Sequence, residues 1–166
     1  MTSVYEPLKG AVSCSSKGTY VRHLSRDQPA LRLWHQVPYT AEIRVELFPY
    51  IGGIARANDA TLIHAGGVED HVHLLLGLPP KLAASDLMRG VKANSSLWIK
   101  ERWAVENFAW QDGFSVFSVS PSKLKATIAY LDGQQSHHAK VSFGRELRDM
   151  YDAHGVEYEE RWMPPV

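Results

Sequence analysis

The sequence predicts an α+β sandwich in which helices pack on a mainly antiparallel sheet. Three observations carry that prediction. ATLIHA (60–65) and VEDHVHLLLGL (68–78) are short β-patterned runs flanking Gly66-Gly67, as the arms of a hairpin would. FAWQDGFSVFSVS (108–120) gives a turn signal at Asp112-Gly113 and then alternates apolar and polar residues as a strand does. The segments between and after these runs repeat their apolar residues every three or four positions, the interval of a helix with one buried face. Strands and helices interspersed in this order, without an internal repeat, place helices on a sheet.

Each element follows in turn. Residues 1–18 are Ser- and Gly-rich with little periodicity and read as a mobile leader, leaving 19–166 as a single domain. TYVRHL (19–24) is a candidate short strand, and the polar, Pro-punctuated stretch through Tyr39 carries little signal. TAEIRVELFPYIGGIARA (40–57) spaces Ile43, Leu47, Tyr50, Ile51 and Ile54 at helical intervals behind Thr40, an N-cap residue. Pro49 is expected to kink or split that helix, because it lacks an N–H and its ring crowds the preceding turn. The hairpin arms come next and are expected at the centre of the sheet. After Pro79-Pro80, Ser85 can cap a helix to about Arg102, with Leu87, Val91 and Trp98 inward and Arg89, Lys92, Ser96 and Lys100 on another side. Ser120-Pro121 starts a helix that turns Leu124, Ile128 and Leu131 inward. A last helix, from about Phe143 to His154, closes at Gly155 with Phe143, Leu147 and Met150 as its stripe. The order amounts to a ferredoxin/RRM-like α/β sandwich.

The totals exclude several classes. With 166 residues and 45% apolar content, the chain can bury one sizeable core. Lys and Arg number 18 against 18 Asp and Glu, so any site for a polyanion is a local patch rather than a strongly basic surface. Cys14, the only cysteine, rules out an internal disulfide and a zinc site built on several thiolates, and is consistent with a reducing compartment. No run approaches the roughly 18 apolar residues of a membrane span, and the first twenty residues lack a signal peptide's apolar block. These features predict a cytoplasmic protein with no membrane partner.

Chemistry concentrates in two places. In a strand, residues i and i+2 share a face, so His71 and His73 project together while Val72, Leu74 and Leu76 face the opposite way into the core. Imidazoles on α-carbons roughly 6.5–7 Å apart can reach one metal ion, and Glu69 and Asp70 put oxygen ligands nearby. The spacing equally fits two surface or half-buried histidines on an amphipathic strand. On the helix after Ser120, Lys123, Thr127, Tyr130 and Gln134 follow one face away from the apolar stripe. A phenol with a pKa near 10 attacks phosphate only when a cation polarises the phosphate and a base or water takes the proton, and a metal on the histidine strand meets the first need. Tyr130 also fits a boundary residue of an amphipathic helix. His137 and His138 are able to replace a ligand assigned elsewhere.

GGVEDHVHLLLGLPP, DLMRGVKANSSLWIK, FAWQDGFSVFSVSPS and IAYLDGQQSHH, in that order over roughly residues 40–160, resemble the HUH single-tyrosine transposases of the smallest bacterial insertion sequences, IS200-like enzymes that include the REP-associated tyrosine transposases. The resemblance implies a divalent metal, Mg²⁺ or Mn²⁺, on His71, His73 and Gln134, with Tyr130 as the catalytic nucleophile. It implies binding of hairpins in single-stranded DNA, cleavage and rejoining through a 5′-phosphotyrosine, and a homodimer whose tyrosine helices commonly serve the other subunit. Arg89, Lys92 and Lys100 are the candidates for contacting the DNA backbone, although a charged helix face is by default merely solvated. Trp98 and Trp103 are candidates for stacking on bases, with Trp98 better read as core. Two features depart from the family pattern: the first strand is short and broken by charges, and Gly133 interrupts the helix between Tyr130 and Gln134 at a cost of about 1 kcal/mol relative to Ala. The weak first strand and the balanced charge leave open a non-catalytic hairpin DNA- or RNA-binding domain derived from a transposase. A metal hydrolase of small esters using His71 and His73 without Tyr130 is the third reading.

Overall fold

In chain order the elements are β1 (Cys14–Ser15), β2 (Gly18–Thr19), β3 (Gln28–Trp34), α1 (Ala41–Ala57), β4 (Thr61–Gly67), β5 (His71–Gly77), α2 (Ala84–Trp103), β6 (Ser115–Val119), α3 (Leu124–Asp132), α4 (Gln134–His138) and α5 (Phe143–Ala153). A 3-10 turn at Pro121–Lys123 leads into α3. The structure, a computed structural model, describes residues 40–111, 113–160 and 163–166, and by backbone alone 14–15, 18–19 and 28–34. The expected leader (1–18) and the candidate strand at 19–24 therefore lie outside the described residues, apart from the antiparallel pairing of β1 with β2.

The main sheet has four strands in the order β4-β5-β3-β6, and every pairing in it is antiparallel. The fold is thus the α+β class that the sequence predicts. The hairpin is not wholly central, however: β5 is interior and β4 is an edge. The second interior position belongs to β3, in a segment that gave little sequence signal. Pro29 explains part of that silence, since proline cannot donate to a ladder and argues against an interior strand. It sits next to the end of β3, opposite Ser118 of β6, and the pairing with β5 begins only at Ala30.

Both sheet faces are covered. Val72, Leu74 and Leu76 of β5 meet Ile43, Leu47 and Ile51 of α1 and Leu87, Met88, Val91 and Ile99 of α2, together with Phe108 and Trp110. Ten of these side chains are completely shielded from water, and burying each contributes about 1.5–3 kcal/mol before entropy is counted. On the opposite face Leu75 packs with Val119 and Leu131, and Phe117 with Phe143, Leu147, Met150 and Tyr151. These two groups seat α3 and α5. Every residue of β5 from His71 to Leu76 is consequently buried.

Thr40 caps α1 as expected, its hydroxyl accepting from the Ile43 N–H. The helix runs without a break through Pro49, contrary to the expected kink or split. The carbonyl that proline leaves without an N–H belongs to Val45, which is 73% exposed, so solvent can satisfy it. Ser85 lies within α2 rather than capping it; Ala83 occupies the cap. Gly66 and Gly67 end β4 instead of forming the turn, which is made by Val68–Asp70 and closed by the Val68 N–H donating to the His71 carbonyl. No helix among the described residues is long and apolar enough to cross a membrane.

Candidate metal centre and tyrosine helix

The alternation of β5 sets the site. Because Val72, Leu74 and Leu76 are drawn to the α1/α2 core, His71 and His73 are delivered to the other face, under α4 and α5. Their rings lie 4.8 Å apart between centroids, at 86°. Both are deep, at 0% and 3% exposure, rather than on an open surface. Phe143, the first residue of α5, stacks on the His71 ring at 4.2 Å and fixes its plane.

Two further groups converge there. His138 ends α4, its ring 4.4 Å from that of His71. Glu146 rises from the buried side of α5 with only 4% exposure, and its Oε2 stands 3.5 Å from His138 Nε2, 3.7 Å from His73 Nε2 and 4.0 Å from His71 Nε2. Its other oxygen lies 3.6 Å from His137 Nε2. One donor atom from each of His71, His73, His138 and Glu146 falls within 4.8 Å of the others, a group that can hold a metal ion.

Hydrogen bonds at the outer ring nitrogens orient two of these imidazoles. His71 Nδ1 bonds Asp70 Oδ1 at 2.6 Å, and His138 Nδ1 bonds the Val141 carbonyl at 2.8 Å. With the proton on Nδ1 in each case, the Nε2 lone pair is left facing the cluster, the arrangement that ligating histidines use. Burial pushes His138 down to about 4, reinforced by repulsion from His71 and opposed by the Val141 carbonyl, so the ring is neutral at pH 7. Partial burial works to raise the Asp70 carboxyl, but the bond and charge of His71 outweigh it and leave the pKa lowered. Glu69, expected on the same face, is instead exposed in the turn.

The tyrosine helix reaches the cluster within the same chain. Leu124, Ile128 and Leu131 pack α3 onto the sheet as predicted. The fit is closest at Gly66, where a Cβ would lie 2.3 Å from the Leu131 carbonyl oxygen. His64 of β4 adds a 2.7 Å contact to Asp132. Tyr130 comes within 6.0 Å of the His73 ring and 5.6 Å of the His137 ring, between centroids. Gly133 does end α3, and α4 restarts at once. Gln134 follows the break directly: its side-chain Nε2 donates to the Tyr130 carbonyl at 3.5 Å, and its Oε1 stands 3.1 Å from His138 Nε2. Gln134 is thus buried beside the cluster, in contact with His138.

The three cations predicted for DNA are on α2, across the sheet from the cluster. Arg89 is exposed and pairs with Asp86 at 3.0 Å; Lys100 is exposed. The Lys92 ammonium donates to the Gln111 carbonyl at 2.7 Å and to that of Gly113, holding the loop before β6. Trp98 stacks on Tyr50 at 4.8 Å, and Trp103 packs partly buried on the α1/α2 core. Glu146 was not singled out from sequence, though a carboxylate between Phe143, Leu147 and Met150 on an otherwise apolar stripe is a legible signal for a partnered buried charge.

A family model described as "Transposase IS200 like" matches residues 34–134. Among solved structures, the chain resembles a candidate transposase from Deinococcus radiodurans R1, with 20% identity over 70% of this chain and 98% of that one and a TM-score of 0.52. It also resembles a REP-associated tyrosine transposase bound to a REP hairpin, with 13% identity over 90% of this chain and 98% of that one and a TM-score of 0.57. At these identities the two structures speak for the fold. No curated protein gives a significant sequence match.

Proposed function

The chain belongs to the IS200-like transposase family, and on that premise we propose that it is a metal-dependent single-stranded DNA transposase, a strand transferase that binds hairpins and works through a 5′-phosphotyrosine. The observation that carries this reading is the approach of Tyr130 to the buried His71/His73 cluster. The REP hairpin bound by a structural relative supports a DNA hairpin as substrate. The donor set suits a divalent ion, and Mg²⁺ or Mn²⁺ at His71 and His73, with Gln134 adjoining, would supply Lewis-acid polarisation of a phosphate.

The chain's own part is positioning and nucleophilic attack. The Tyr130 oxygen attacks phosphorus, forming a P–O bond as the bond from phosphorus to the 3′ oxygen breaks. The phenolic proton is balanced by one gained at the departing 3′ hydroxyl. A phosphodiester is thereby exchanged for a phosphotyrosine, with no water consumed, and the reverse attack by a 3′ hydroxyl rejoins strands. Arg89 and Lys100 are the proposed contacts for the DNA backbone at a distance from this chemistry, with Lys92 shaping the adjacent loop. The family resemblance favours a homodimer, and the proximity of Tyr130 to its own chain's histidines favours a cis tyrosine within it. The proposed setting for this activity is the cytoplasm.

The test is incubation with hairpin-bearing single-stranded DNA and Mg²⁺ or Mn²⁺. A covalent protein-DNA adduct that Tyr130→Phe abolishes is expected; an undiminished adduct from that variant would overturn the assignment. The depth of His71 and His73 favours one second reading, a non-catalytic hairpin-binding domain of the same descent. Hairpin binding without cleavage under every divalent ion selects it.

A further inference from the structure

We infer that the metal centre is a three-imidazole, one-carboxylate set formed by His71, His73, His138 and Glu146, and that it takes a transition-metal ion in preference to Mg²⁺. This deepens the proposal above, on which it rests for the presence of a metal, by assigning two ligands from the helices beyond the tyrosine and choosing among ions.

The geometry points this way. One carboxylate oxygen, Glu146 Oε2, faces three imidazole nitrogens at 3.5, 3.7 and 4.0 Å. All four donor atoms lie within 4.8 Å of one another, close enough for one ion to draw them together. Chemistry agrees: imidazole nitrogen suits Zn²⁺ and its transition-metal neighbours, while Mg²⁺ seeks oxygen and keeps its waters. The fixed Nδ1 contacts of His71 and His138 already aim two of the lone pairs inward. Glu146 is 4% exposed and its carboxylate is set among the three rings, where an ion held between them would add favourable charge.

The experiment titrates Co²⁺ into metal-free protein, reading the visible ligand-field bands, with Zn²⁺ and Mg²⁺ as competitors. Ligand-field bands of a nitrogen-ligated ion are expected, with Mg²⁺ at least 10-fold weaker as a competitor than Zn²⁺. Glu146→Gln is expected to weaken Co²⁺ binding by about 10-fold or more, and Gln134→Ala by less than about 3-fold. Because Glu146→Gln alters a buried position, X-ray absorption of the native Zn²⁺-loaded chain gives an independent count, expected to show three imidazoles. Two imidazoles, a larger loss in Gln134→Ala than in Glu146→Gln, or Mg²⁺ competing on a par with Zn²⁺ overturns the inference. Three imidazoles without DNA cleavage would sink the transposase reading alone; cleavage with a two-imidazole ion would sink this inference alone.

Discussion

His138 shows what burial does to a single side chain. Its pKa of about 4 in the folded protein lies below the roughly 6.5 of an unfolded histidine. Between those values the unfolded chain binds a proton that the folded chain does not, so the stability of metal-free protein falls as pH drops from about 6.5 towards 4 and is intact above that window. The loss is at most about 2 kcal/mol by pH 5, or roughly 4–8 °C in Tm. Thermal melts of chelator-treated protein at pH 7 and pH 5 check it, and His138→Gln is expected to melt with a smaller difference. Asp70 acts in a separate window: with its pKa lowered, its contribution is lost only as pH falls below the ordinary aspartate range.

At the level of elements, the placement of α3 turns on a contact without any side chain. Gly66 admits the Leu131 carbonyl, so Gly66→Ala must push the helix bearing Tyr130 off the sheet. A stability loss of about 1–3 kcal/mol is expected, with adduct formation falling roughly 10-fold or more because the phenol is displaced by a fraction of an ångström to an ångström. Chemical denaturation and the adduct assay together measure both. The same glycine shows where sequence reading falls short. Gly66-Gly67 has the composition of a turn, and nothing local tells that a helix 65 residues later requires the space. The histidine alternation, in contrast, is a property of one strand, so their shared face was legible. The α3 stripe was legible for the same reason. Glu146 was missed because a stripe scored for apolar residues passes over the carboxylate embedded in it. β3 was missed because its pairing partners, not its own pattern, make it a strand.

For the whole molecule, the arrangement of faces bears on whether the proposed dimer works in cis or in trans. Because α3 and α5 close over the same side of the sheet as His71 and His73, a single chain contains the proposed nucleophile and the proposed ligands. Mixing Tyr130→Phe protein with His71→Ala protein is therefore expected to leave adduct formation at background, while a tyrosine acting in trans would restore a sizeable fraction; gel analysis of labelled hairpin DNA reads the difference. The burial of β5 on both sides carries a further meaning. Four polar groups sit at the meeting point of cores that well-packed aliphatic residues would fill with a gain in stability. A chain selected only to stay folded would drift toward leucine and methionine there. The imidazoles and the carboxylate are a standing strain on the scaffold, which makes the interior of this protein, rather than its surface, the place where loss of chemistry in a descendant would first be written.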